Sequence, residues 1–310
     1  MNAIITTNNE LQTTANITDL AERWSRYIDA TERTAEAYKK NVRQFMLWLS
    51  DNNIDRPTRE DIISYREHLK ASGKKPATIQ AYIISIKQFF KWADAENLYP
   101  NIADHVKGAK LDREYKKDYL TTEQVKNLLA AIDRTTAAGK RDYAIIAVQL
   151  TTGLRATSII NADIGDIRPA GDNIALYYKG KGHAEKGIYV KLAQPVQDAI
   201  NDYLAIRTDK EADSPLFASV AHRNGGGRMT TRSISRIAKE RMRAIGLDSD
   251  RLTDHSFRHT AGVQNLLNGG TLEETQKLLN HSNINTTTIY AHIIDRANNP
   301  SEARLAAAFF

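Results

Sequence analysis

The amino-acid sequence predicts a mainly α-helical protein: a small four-helix domain, then a larger α-rich domain carrying one small β-sheet. Three observations predict it. The chain has 310 residues, and at about 150 residues per domain that is room for two cores. Apolar side chains recur at three- and four-residue steps along most of its length, which is the period of an amphipathic helix. One stretch alone, Asn173 to Leu192, sets two β-rich runs on either side of a turn containing Gly-Lys-Gly, and it reads as a hairpin.

Residues 1–16 are rich in Thr and Asn without an apolar period and read as a flexible lead. From Ile17 to about Asp29, Leu20, Ala21, Trp24, Tyr27 and Ile28 form the stripe of a first helix; Tyr38, Val42, Phe45, Met46 and Leu49 form that of a second. Pro57 and Thr58 open a third, with Thr58 as N-cap and Asp61 three residues on as a capping-box partner. A fourth runs from Pro76 to about Asn97 through Ile79, Ile83, Ile86, Phe90 and Trp92. The period then fades into KGAKLDREYKKD, a charged linker. The expected division is therefore a first domain over 17–103, a linker over 104–118 and a second domain over 119–310.

In the second domain helical signal resumes at Thr121, and a helix near Arg141 to Thr151 is apolar all round, as a buried helix would be. After the hairpin the pattern is again helical from Pro195 to about Asp295, with a Gly-rich turn at Arg223 to Arg228.

Composition narrows the chemistry. There are 43 Lys plus Arg against 37 Asp plus Glu, a net charge of +6, which permits a polyanionic partner without requiring one. The absence of cysteine excludes disulfides, thiolate metal sites and thiol nucleophiles, and fits a cytoplasmic setting. No run approaches the ~18 apolar residues of a membrane span, and the N-terminus lacks the basic and apolar regions of a signal peptide.

The span from Asp254 to Ile293 concentrates His255, Arg258, His259, His281, Tyr290 and His292. His255 and Arg258 stand three apart, so a helix starting at Thr253 or Asp254 projects both from its first turn, where the helix N-terminus also favours an anion. A zinc site of the His-Glu-x-x-His kind is rejected because Ser256 stands where the Glu must be. Gly225-Gly226-Gly227 is no phosphate loop, since no Gly-Lys-Ser/Thr follows it. Arg155 follows the helix break at Gly153 in apolar surroundings, so it needs an anion: Asp163, Asp166 or a ligand.

The string TTGLR, the Gly-Lys-Gly hairpin, the His-x-x-Arg-His-Thr block and Leu-x-His with Tyr nine residues beyond occur in that order. This set resembles the tyrosine recombinase (phage integrase) family, most nearly its short Xer-like members. The resemblance implies a SAM-like core-DNA-binding domain followed by a catalytic domain. It implies Tyr290 as a nucleophile that leaves a 3′-phosphotyrosine and a free 5′-hydroxyl, with Arg155 and Arg258 gripping the phosphate. It further implies that His255 takes the tyrosine proton, His281 hydrogen-bonds the phosphate and Lys181 protonates the leaving oxygen, with Lys179 and Lys186 as alternatives for that last role. No metal or cofactor is implied. The partners implied are duplex DNA with paired inverted-repeat sites, three further copies of the chain in a tetramer, and, left open, an accessory factor. The competing readings are a type IB topoisomerase-like enzyme and a catalytically silent DNA-binding relative.

Two departures from the family pattern stand out. Where the first Arg is usually followed by x-Ser-Glu-Leu, this chain has Ala156, Thr157, Ser158 and Ile159, so the acidic support at Ser158 is missing. Asn280 stands where Gly is customary, and Asn is the next-best residue for a left-handed helix exit.

For DNA contact, Arg228, Arg232, Arg236, Lys239 and Arg243 form a basic stripe opposite Ile234, Ala238, Met242 and Ile245. In the first domain Lys39, Lys40 and Arg43 lie on the second helix, and Lys74, Lys75, Lys87 and Lys91 on or beside the fourth. Leu305, Phe309 and Phe310 in the C-terminal tail would be a costly exposed patch. They pack either on the chain's own core or, as the resemblance implies, on a neighbouring protomer.

Overall fold

The computed structural model describes residues 17–110, 118–180, 185–220 and 224–310, with Thr18 by its backbone only. The chain divides into two compact units, Met1–Glu114 and Tyr115–Phe310.

The N-terminal unit holds four helices: α1 (Ile17–Trp24), α2 (Glu32–Asp51), α3 (Arg59–Ala71) and α4 (Pro76–Ala95). The first is shorter than its apolar pattern, because the backbone turns after Trp24 and leaves Tyr27 exposed. Helix α3 starts as its sequence dictates: the Thr58 N–H and hydroxyl donate to Asp61 Oδ2 at 2.7 and 2.8 Å. Pro76 sits in the first turn of α4, where a missing N–H costs nothing. The inward stripes meet in an aromatic core, where the Phe45 ring lies 5.1 Å from Tyr65 and 6.4 Å from Phe90, and Phe89 lies 5.6 Å from Trp24.

The C-terminal unit is built on α6 (Ala137–Thr152), which is buried on nearly every side as its composition predicts. It follows α5 (Thr122–Ala130), whose Thr121 cap accepts from the Gln124 N–H. Beyond α7 (Ala156–Ile160) and a 3-10 turn comes an antiparallel sheet ordered β1 (Ile167–Ala170), β2 (Asn173–Tyr178), β3 (Ile188–Lys191). The hairpin is β2 and β3, paired with Tyr177 opposite Tyr189. Strand β1, which the sequence pattern does not announce, extends it with Leu176 opposite Ile167. Then follow α8 (Gln194–Ala205), α9 (Thr231–Arg243), α10 (Asp254–Leu267), α11 (Leu272–Leu279), α12 (Asn285–Ala297) and α13 (Ser301–Phe309). Gly226 in the Gly-rich turn has φ 78°, which glycine adopts without strain.

No described helix is long and apolar enough to cross a membrane. Phe45 is fully buried, so Phe45→Ala should cost the N-terminal unit about 3–5 kcal/mol. All three tryptophans, Trp24, Trp48 and Trp92, lie in that unit. A lowered midpoint in fluorescence-detected denaturation, with an unaltered midpoint for the C-terminal unit, is the expected result.

Candidate active site

The site forms where three helix ends of the C-terminal unit meet. Helix α6 stops at Gly153, whose φ of 64° is left-handed. A Cβ there would stand 2.3 Å from Leu279 Cδ2, so glycine is needed both for the turn and for the close approach of α11. Leu154 is buried, and Arg155 becomes the N-cap of α7. Helix α11 stops at Asn280 with φ 47°, the left-handed exit expected of Asn. His281 follows directly.

Helix α10 begins at Thr253, whose N–H donates to Ser256 Oγ at 3.0 Å, and so presents His255 and Arg258 from its first turns. Arg258 is only 4% exposed. Its guanidinium donates to Gly153 O at 2.6 Å and to Leu279 O, linking the ends of α6 and α11. Burial and the nearby charge of Arg155 push Arg258 down to about 10, still cationic at neutral pH.

Arg155 is half-buried. Among the described residues no carboxylate lies within ion-pair distance of Arg155 or Arg258. The carboxylates that the sequence offered to Arg155 are occupied. Asp163 and Asp166 both accept from the Lys186 ammonium, and Asp163 also pairs with Arg228. Two like charges with no carboxylate partner among the described residues suit the binding of an anion.

Tyr290 of α12 lies beside these cations. It is 2% exposed, and burial holds its phenol above the ordinary value, a rise that the charges of Arg258 and Arg155 only partly offset. Its hydroxyl is 3.0 Å from His259 Nδ1. The ring lies over Gly262, where a Cβ would stand 2.8 Å from Tyr290 Cε2. The His281 ring stacks on Tyr290 at 6.3 Å between centroids, with Nδ1 2.9 Å from Thr287 Oγ1. Burial, then the charges of Arg258 and Arg155, push His281 down to about 4, so it is neutral at pH 7. His255, exposed, meets the face or edge of His259 at 4.6 Å and 90°.

Tyr290, Arg155, Arg258, His255 and His281 are thus brought together, and Lys181 lies outside the described residues. Lys179 is exposed just past β2. Lys186 is held differently: burial opposes its charge, but the hydrogen bonds it donates to two carboxylates outweigh that and push the ammonium up, which suits an anchor and not a proton donor. His259 stood in the sequence cluster without an assigned role, and Gly262 and Tyr178 were not singled out there. His259 stands four residues after His255, a spacing that signals a shared helix face, and Gly262 continues that face. Tyr178, buried at the end of β2, also lies in the field of both guanidiniums.

The candidate DNA contacts divide into two groups. Lys40, Arg43, Lys74, Lys75, Lys91, Arg232 and Arg236 are exposed, and Lys39 and Lys87 are partly so. Lys39 is 3.3 Å from Glu36. Arg228 is spent inside the protein, on Asp163 and the Ile160 and Ala162 carbonyls. Lys239 holds Ser249 O at 2.8 Å and Asp248 at 3.0 Å, and Arg243 also pairs with Asp248. The even basic stripe read from α9 is therefore broken by pairing with loops that spacing along the helix does not reveal.

Comparison with known proteins places this geometry. Residues 118–296 match the model of the phage integrase family, and residues 21–97 match the N-terminal SAM-like domain of phage integrases. The chain is 30% identical over 278 residues to the tyrosine recombinase XerC of Herpetosiphon aurantiacus, covering 86% of this chain and 87% of that one. In fold it is similar to the XerH site-specific recombinase bound to palindromic difH substrate, with TM-score 0.68, 19% identity and coverage of 89% and 79%. It is likewise similar to the lambda integrase tetramer bound to a Holliday junction, with TM-score 0.69, 15% identity and coverage of 90% and 78%. The chain belongs to the phage integrase family and is a tyrosine recombinase. Its function is site-specific DNA recombination, and the topoisomerase-like and silent readings fall away.

His281 is neutral in the folded protein between about 4 and its ordinary 6.5, whereas the unfolded chain binds a proton there. The stability of the DNA-free protein should therefore fall as pH drops from 6.5 toward 4. His281→Gln should flatten part of that slope in urea denaturation across the same range.

Proposed function

We propose that Tyr290 cleaves one DNA strand by attacking a phosphodiester, leaving a 3′-phosphotyrosine and a free 5′-hydroxyl, and that the reverse attack rejoins strands after exchange. The observation that carries this reading is the pair of guanidiniums with no carboxylate partner among the described residues, set against a tyrosine whose phenol feels both charges. A phenol of pKa ~10 needs cations and a base to act as a nucleophile near neutral pH. Arg155 and Arg258 bind the non-bridging oxygens as negative charge grows in the transition state. His281, neutral, donates a hydrogen bond to the same phosphate, and His255 closes its exposed side. Lys181 protonates the departing 5′ oxygen. Its competitor Lys186 is committed to Asp163 and Asp166.

The phosphotyrosine bond conserves the energy of the broken linkage. Rejoining then needs neither a nucleotide nor a metal ion, and the residues of the site supply the phosphate charge compensation themselves.

Exposed Lys40, Arg43, Lys74, Lys75, Lys91, Arg232 and Arg236 supply backbone contacts to a duplex carrying paired inverted repeats. Four copies assemble on paired sites. Helix α13 supports this, since Phe309 is 73% exposed and Leu305 53% exposed, surface that a neighbouring copy can cover. The setting is cytoplasmic, where chromosomal or mobile-element DNA is within reach.

A nicked suicide duplex, which loses the short strand after cleavage, should trap the wild-type chain as a covalent adduct resistant to denaturant and insensitive to chelator. Tyr290→Phe should bind the same duplex and form no adduct; an adduct in that variant would refute the assignment. Arg232→Ala with Arg236→Ala should weaken DNA binding and lower the slope of log K against log salt by about 0.9 for each phosphate that is no longer neutralised. An unchanged slope in a salt-titrated gel-shift assay would remove α9 from the interface.

A further inference from the structure

The face of α10 that meets α12 is built from His255, His259 and Gly262, at steps of four and three. Gly262 leaves room for the Tyr290 ring, whose Cε2 would otherwise meet a Cβ at 2.8 Å. The phenol therefore runs along this stripe with its hydroxyl at the next turn, 3.0 Å from His259 Nδ1. The two rings are 5.7 Å apart and inclined by 59°. His259 is 8% exposed, so water has little access to it, and the exposed His255 ring lies 4.6 Å from its own.

We propose that His259 is the catalytic base that receives the Tyr290 proton. The resemblance assigns that task to the neighbouring His255. The inference rests on Tyr290 being the nucleophile. In the cleavage step a lone pair of the phenol oxygen forms the new bond to phosphorus. The O–H bond breaks, its electron pair stays on that oxygen, and the proton passes to the Nδ1 lone pair of His259. The bond from phosphorus to the 5′ oxygen breaks with its pair on that oxygen, which takes a proton from Lys181. In rejoining, His259 returns its proton to the phenolate. This requires the His259 tautomer with hydrogen on Nε2. Among the described residues, the titratable and charged groups around the Tyr290 hydroxyl are His255, Arg258 and His259 of α10, His281 ahead of α12, Arg155 at the head of α7 and Tyr178 at the end of β2. Helices α6 and α11 turn the uncharged Gly153 and Leu279 to Arg258, and α9 faces Asp254 with Ser235 at 2.9 Å. Both arginines favour the phenolate against the burial that opposes it, so proton removal calls for a base in contact, and among the described residues the imidazole at hydrogen-bond distance is His259.

The experiment is single-turnover adduct formation on the nicked suicide duplex from about pH 5.5 to 8.5, which spans the titration of imidazole. Wild type, His259→Ala, His259→Gln and His255→Ala are compared, with gel-shift binding of intact duplex as the test of folding. The wild-type rate should rise with pH as the base loses its proton. His259→Ala and His259→Gln should bind DNA normally, cleave at least ~100-fold more slowly and lose that rise. Added imidazole should restore part of the rate in the Ala variant. The Gln variant keeps an amide near the hydroxyl with no basicity, so it separates proton transfer from packing. His255→Ala should cleave more slowly and keep the rise. If either His259 variant binds and retains the wild-type pH dependence, or if the rise is lost in His255→Ala instead, His259 is not the base. Failure of the wild-type chain itself to form an adduct would refute the role of Tyr290.

Discussion

The site depends on one buried guanidinium. Arg258 carries a full charge almost out of contact with water, and its protein partners are two main-chain carbonyls, Gly153 O and Leu279 O. Removing an ion from water costs several kcal/mol, and dipoles return only part of it. A carboxylate partner would return more, but it would also occupy the place that the proposed reaction gives to a phosphate. The fold resolves this by ending two helices on Arg258. The C-terminal carbonyls of α6 and α11 carry partial negative charge, enough to hold the cation and too little to neutralise it. Gly153 and Asn280 follow as necessities, since each helix must leave by a left-handed residue to aim its carbonyls that way.

Around this fixed cation the other groups are placed by ordinary packing. Gly262 admits the Tyr290 ring against α10, and Thr287 holds His281. Arg155 heads a helix of five residues, too short to orient itself, and the exit of that helix is held by Arg228 through the Ile160 and Ala162 carbonyls. Asp163 in turn holds Arg228 in place.

Much of this was legible in the sequence because it is local. The capping of α3 by Thr58 and Asp61, the buried character of α6 and the left-handed exit at Asn280 each depend on residues within a few positions of one another. The family motifs located five of the six candidate catalytic residues in one described cluster for the same reason: short strings carry them. What stayed hidden depends on partners far apart in sequence. Arg241 pairs with Asp142 at 2.6 Å across the interior, and Arg228 and Lys239 spend their charge on the protein. A basic residue at helical spacing looks the same whether it faces DNA or a carboxylate from another segment. Strand β1, Ile-Arg-Pro-Ala, has neither alternation nor β-branched density, and exists because β2 offers it an edge. His259 was visible as a metal-ligand candidate and rejected as one, while its contact with Tyr290 needed the packing of α10 on α12.

The double engagement of Asp163 also makes the unit mechanically tied at a distance. Lys186 lies at the root of the hairpin, Arg228 lies on the way into α9, and one carboxyl group joins them. The root of the hairpin is thereby joined, through one carboxyl group and Arg228, to the Ile160 and Ala162 carbonyls at the exit of the helix that Arg155 heads.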